Sequence, residues 1–444
     1  MVLALSVWLG ALLLGPVIFR YGVGYSASAD LFVAACLVAT TTGYLLVRQQ
    51  PREAPTDHEH MPAEIGLAHL LGLAGILGCV LLLADARAQG IPLSLGYLLD
   101  NLGSLRQRQF EGLATSAEQT QTRVIGSYLA SCSFLVVLAA SRVGQVGYLR
   151  SLAVANFALI AAVSLLVYQG RATVFNLALL LLVSAYLLRR RLLPRKPRAV
   201  AVAMIAVVAV WYFSVPYLAT RERAADPIAV LEDTQRAQLH SGIEPLARKD
   251  PAFGLAMVSV GYFTSPFATL SYYMQVGPPP GPLWGGYSYP LPARTIAKLQ
   301  GTATPDLWLK DREQAFMPLA SAGYFPNVWA TWLRDLLVDF GHLGAILFSV
   351  GFGAFMAWAR NGFERKGTLY HHYYQTIACF TFTFGAFTSL LWNGFLANAF
   401  FITIALAFGV HTGLFSRLLP HAAVPAASRE TAPFDQTGLL KVMS

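Results

Sequence analysis

The chain has 444 residues, 55% of them hydrophobic and only 12% charged, with a mean hydropathy of +0.52. A charged share about half the usual one leaves a soluble fold too little polar surface to cover its outside, and the apolar bias equally excludes a disordered chain. The net charge of +9 does not indicate a nucleic-acid partner, because Lys and Arg cluster at the ends of apolar runs, where they set membrane orientation. The composition is that of an all-α polytopic membrane protein.

In chain order, ten apolar runs approach the roughly 20 residues that cross a bilayer. They cover about 2–19, 29–47, 64–84, 124–140, 151–167, 173–188, 199–216, 341–359, 373–391 and 395–414. The first lacks a basic segment ahead of it, so it is expected to stay as an uncleaved helix despite the small residues Ser26–Ala29. Cys36, Cys79, Cys132 and Cys379 all fall within apolar runs, with no metal-ligand or disulfide spacing, and read as small packing residues.

Arg189, Arg190, Arg191, Arg195, Lys196 and Arg198 form a basic run without an acidic residue, which belongs in the cytoplasm. Counting outward from it puts both termini inside. The other inside connections then carry Arg48 with Arg52, Arg142 with Arg150, and Arg360 with Arg365 and Lys366. The resulting organisation is seven helices over 1–216 with an outer loop at 85–123, a large outer loop at 217–340, three helices over 341–416, and a cytoplasmic tail at 417–444. Residues 251–276 are long enough to span, but Pro266 and several Ser, Thr and Tyr residues favour interfacial or re-entrant helices. The large loop mixes basic and acidic residues densely and is long for a connector, which makes it the expected seat of chemistry.

Signatures of soluble enzymes are missing: there is no Walker A loop, no dinucleotide fingerprint, no HExxH and no nucleophile elbow. No ATP-driven pump or membrane metalloprotease is indicated, and no motif asks for a cofactor or a divalent cation. Charge at the outer boundary stands out instead. Arg171, in the tight turn Tyr168–Thr173, either snorkels to lipid phosphate or clamps a pyrophosphate with its planar fork, and Arg20 has the same two readings. Asp335, Asp339 and His342 fall on one face at helical spacing as the chain enters the eighth run. Such groups entering a membrane are costly and suggest function, and Asp339 or His342 is placed to take a proton from a sugar hydroxyl. Pairing of a carboxylate with Arg334 is the structural alternative. Trp284 and Tyr287, in the Pro/Gly-rich loop 277–290, either stack on sugar faces or pad the loop, and Arg294 with Lys298 can meet phosphate.

The run Asn327-Val328 to Asp339-Phe340-Gly341 and Gly344, continuing as Phe348–Gly353, resembles the O-antigen or oligosaccharide repeat-unit polymerase family, often called Wzy-type. Gly261-Tyr262-Phe263-Thr264-Ser265-Pro266 ahead of the Gly/Pro-rich loop and Gly170-Arg171 in its turn support the resemblance, which covers about residues 160–410. It implies a bundle similar to the glycosyltransferase C superfamily, with its site at the outer leaflet of the bacterial inner membrane. The implied reaction moves a growing glycan from polyprenyl pyrophosphate to a hydroxyl of an incoming lipid-linked unit. A flippase and a chain-length regulator of the same pathway would be partners. Departing pyrophosphate needs cations. Arg171, Arg294 and Arg334 are the first candidates, with Arg221, Arg223, Lys298 and Arg312 behind them. Asp339 is the expected base ahead of His342, and Asn327 and Tyr262 belong to the matching runs. The alternatives are an O-antigen ligase, a lipid-linked sugar flippase or other transporter, and an assembly scaffold. The nearly uncharged interiors of runs two to seven weigh against a transporter.

Overall fold

The computed structural model describes residues 2–22, 25–49, 61–101, 120–143, 147–167, 171–188, 227–276, 317–319, 321–322, 331–366, 368–386 and 394–411. The expected seventh span at 199–216, the basic run 189–198 and the tail 417–444 lie outside them.

The first half contains α1 (Val2–Ile18), β1 (Phe19–Tyr21), α2 (Ala27–Val47), α3 (Met61–Ala88), α4 (Leu95–Asp100), α5 (Gln121–Val143), α6 (Gly147–Ala162) and α7 (Arg171–Leu187). A π-helical turn, Val163–Val167, extends α6. The second half contains α8 (Pro227–Gln235), β2 (Ala237–Leu239), α9 (Glu244–Lys249), α10 (Pro251–Val276), α11 (Trp332–Lys366), α12 (Leu369–Phe384) and α13 (Gly394–His411). This is a helical membrane protein: six of these helices are long and apolar enough to cross a bilayer, within α2, α3, α5, α6 with its extension, α10 and α11. Shorter apolar helices lie within α1, α7 and α13.

Two apolar cores hold the helices together. One gathers α3, α5, α6, α7, α12 and α13 around Phe134, Leu138, Ile160 and Leu177. The other gathers α1, α2, α10 and α11 around Trp8, Cys36, Phe267 and Leu337. Where α2 crosses α11 the backbones touch. A Cβ on Gly43 would overlap the Val350 carbonyl oxygen, and one on Gly353 would overlap the carbonyl oxygen of Thr40. Close approach of this kind, made possible by small residues, replaces the hydrophobic drive that lipid removes.

The helix ends sort into two layers. In one, Arg360 Nη1 donates to the Tyr44 hydroxyl at 2.5 Å and Asn361 Nδ2 to the Val47 carbonyl at 2.9 Å. There too Arg142 meets Glu64 at 3.7 Å, the Leu369 amide donates to Glu64 at 2.8 Å, and Ser184 links Ser141 to His372. Arg360 and Arg48 therefore share one side of the bundle. At the opposite ends Thr120 donates to buried Asp85, and a small cap of β1, β2, α8 and α9 covers the start of α10. The two strands pair antiparallel, Arg20 opposite Gln238, a ribbon the all-helical reading did not anticipate.

One expectation needs correcting. Residues 251–276 form one unbroken helix, about 39 Å long at 1.5 Å per residue, in place of several short helices. Pro266 removes only one backbone donor, and the polar side chains are absorbed: Thr264 and Thr269 donate to carbonyls of their own helix, at Val260 and Pro266. A fold-back lies elsewhere. α11 breaks at Gly341 (φ 69, ψ −177), a conformation open to glycine and strained for other residues. The arm 332–340 doubles back on the arm 342–366, so that the Trp332 ring meets Phe352 at 4.7 Å and Phe340 stacks on Phe348 at 5.6 Å.

Candidate functional site

The short arm of α11 begins at Thr331, whose hydroxyl and carbonyl both accept from the Arg334 amide (3.0 and 3.1 Å), as a helix-capping residue does. The Trp332 amide donates to the Gly385 carbonyl at 3.0 Å, anchoring the arm on the end of α12. Residues 331–339 are buried throughout, wrapped by α1, α2, α10 and the long arm of α11.

Three charged side chains sit inside that packing. Arg334 is 2% exposed, Asp335 1% and Asp339 0%. Arg334 donates through Nη2 to Asp335 Oδ1 at 3.1 Å, with Nε at 3.4 Å. Its guanidinium carbon lies 5.9 Å from the centre of the Tyr273 ring on α10, at the outer reach of a cation–π contact. Asp339 follows Asp335 by one helical turn, so the two carboxylates share one face of the arm. Taking such charges out of water costs several kcal/mol per ion before pairing offsets it, and apolar packing of the same volume is often as stable. The cluster therefore has no evident purpose in stability alone. Chemically it offers a cation held in one orientation and a carboxylate able to accept a proton.

His342 is not part of it. The break at Gly341 falls between Asp339 and His342, so their spacing no longer describes one helical face. The imidazole is exposed, with its ring edge-on to Phe32 of α2 at 5.7 Å. That corrects the expectation of three groups on one face.

Arg171 is the first residue of α7, and the first turn of that helix reaches α10 through Phe175 and Phe263, 6.3 Å apart. Tyr262 lies in α10 beside Phe263. The helix carrying Tyr262 thus touches both the start of the Arg171 helix and, through Tyr273, the Arg334 arm. Arg221, Arg223, Trp284, Tyr287, Arg294, Lys298, Arg312 and Asn327 lie outside the described residues.

Several groups at this end escaped the sequence reading. Buried Trp332 Nε1, Ser265 Oγ and Asn176 Oδ1 have no hydrogen-bond partner among the described residues, and Tyr273 flanks Arg334. Nothing in the sequence distinguishes a Ser or Asn buried with an open valence from one bonded along its own helix. Among the described residues no group of His, Cys, Asp and Glu is arranged to hold a metal ion.

No protein-family model matches the chain, and no curated protein or solved structure matches it.

Proposed function

We propose that the protein is a membrane glycosyltransferase of the bacterial inner membrane that polymerises lipid-linked oligosaccharide repeat units at the outer leaflet. The observation that supports this reading best is the buried Arg334–Asp335–Asp339 cluster on a folded-back arm. Membrane-embedded ionisable groups of this kind mark functional sites by default. The bond broken is that between the anomeric carbon of the growing glycan and its polyprenyl pyrophosphate. The bond formed joins that carbon to a sugar hydroxyl of the incoming unit. The hydroxyl proton goes to Asp339, and the charge left on pyrophosphate meets Arg334, which Asp335 holds in place. Arg171 and the basic residues of the large loop, Arg221, Arg294, Lys298 and Arg312, are the further cations of the proposal, and Trp284, Tyr287, Tyr262 and Asn327 its sugar contacts. A flippase supplying units and a regulator of chain length would work beside it.

The reaction draws its energy from the glycosyl–pyrophosphate bond and needs no nucleotide. Purified protein in detergent, given polyprenyl-pyrophosphate-linked repeat units without nucleotide, is expected to produce a ladder of products on a gel. No ladder with cognate units, and transfer instead to a lipid A core acceptor, would replace polymerisation by ligation. No transfer to either acceptor would sink the reading.

A further inference from the structure

The β1–β2 ribbon carries a second cation that the proposed reaction does not use. Phe19 and Tyr21 point into the cap, Tyr21 bonding Thr264 of α10 at 2.6 Å, so the alternation of the strand turns Arg20 outward. Arg20 Nε donates to His240 Nδ1 at 3.2 Å, and His240 Nε2 lies 3.2 Å from the Pro16 carbonyl. A carbonyl only accepts, so Nε2 carries the proton and Nδ1 is the acceptor: the imidazole is neutral in this arrangement. The His240 amide in turn donates to the Ile18 carbonyl at 3.1 Å. Arg20 is thus held by a neutral ring that is itself fixed twice to the end of α1.

Among the described residues no carboxylate compensates its charge. Arg142, Arg248, Arg334 and Arg360 each pair with a carboxylate, whereas Arg20 has none among the described residues. Nε is committed to His240, which leaves the paired Nη nitrogens as the exposed edge, the geometry that takes a phosphate bidentately. Arg20 also stands two residues beyond an apolar 17-residue helix, where such a helix entering a bilayer would meet the phosphate level. A merely snorkelling Arg has no reason to be aimed in this way, and aiming in advance removes part of the entropic cost of binding.

We propose that Arg20, oriented by His240, is a binding site for the phosphate of a lipid, whether a phospholipid headgroup or a polyprenyl carrier's pyrophosphate. Binding there does not depend on the polymerase reading. The test titrates the full-length protein, in phosphate-free maltoside micelles, with dihexanoyl phosphatidylglycerol and separately with farnesyl pyrophosphate, following phosphorus NMR line broadening. Arg20→Gln should weaken binding about tenfold, the loss of one charge-assisted contact. Arg20→Lys should fall between, and His240→Leu should weaken binding while His240→Gln, which keeps an acceptor and a donor, retains it. Loss confined to phosphatidylglycerol identifies the headgroup as ligand, loss confined to farnesyl pyrophosphate identifies the carrier, and loss of both shows a site for either. Unchanged affinity for both probes in an Arg20→Gln protein that melts like wild type overturns the proposal. Should that variant not fold, equal affinity in His240→Leu and His240→Gln overturns it instead.

Discussion

Trp332 and Phe352 have their rings 4.7 Å apart, although a straight helix would separate them by about 30 Å. The turn at Gly341 is what brings them together, on an arm whose Arg334 faces Tyr273 of α10 and whose Trp332 amide bonds Gly385 at the end of α12. Gly341 is required for its backbone: a Cβ there would meet nothing within 4 Å, but φ 69 with ψ −177 is strained for any other residue. Gly341→Ala should therefore destabilise the protein by about 1–3 kcal/mol. Gly351, ten positions along the same run, also has open space and no unusual φ, and Gly351→Ala should be neutral or slightly stabilising. Thermal unfolding in detergent checks the contrast, and equal melting of the two variants would count against the fold-back.

Arg334 and Asp335 are both about 2% exposed, so removing one takes from the other a charge partner it holds inside the packing. Arg334→Met or Asp335→Leu alone should cost about 3–5 kcal/mol, whereas the double variant should recover most of the loss. If the pair serves the proposed chemistry, the recovered protein stays inactive. Melting and chain-growth assays on all three variants separate the two roles, and an active double variant would make the pair structural.

The α2–α11 crossing tolerates no side chain at its closest points. Gly43→Val and Gly353→Val each drive a side chain into backbone and should lose well over the about 1–3 kcal/mol of ordinary overpacking. Gly10→Ala on α1, where nothing lies within 4 Å, is the matched control. Size-exclusion profiles of tagged protein from detergent extracts would show aggregation for the first two only.

The charge pattern predicts an orientation, and the layers allow a direct check. In a background with all four cysteines replaced by Ala, a cysteine at exposed Gly242 in the cap should react with impermeant maleimide in whole cells. One at Arg365, in the Arg48–Arg360 layer, should react only after lysis. The reverse pattern would turn the bundle over.

What the sequence made legible was governed by local signals. Long apolar runs and their flanking arginines mark most of the helices, and Arg48, Arg142 and Arg360 do gather in one layer. Pro266 misled because a proline reads as a break, while inside a packed bundle neighbouring groups absorb its missing donor. Asp335, Asp339 and His342 keep helical spacing whether or not Gly341 takes a positive φ, so the pattern alone could not reveal that His342 leaves the cluster. Arg20 and His240 lie far apart in the chain, and no local signal connects them.

The central claim rests on Asp339 as the group that takes the acceptor proton. The most direct measurement compares product ladders from wild type and Asp339→Asn, both folded by thermal unfolding, on polyprenyl-pyrophosphate-linked repeat units without nucleotide. The amide keeps the shape and loses the base, so the ladder should fall by a factor of about 10²–10⁴ while substrate binding persists. A ladder of wild-type length and rate from folded Asp339→Asn would contradict the account.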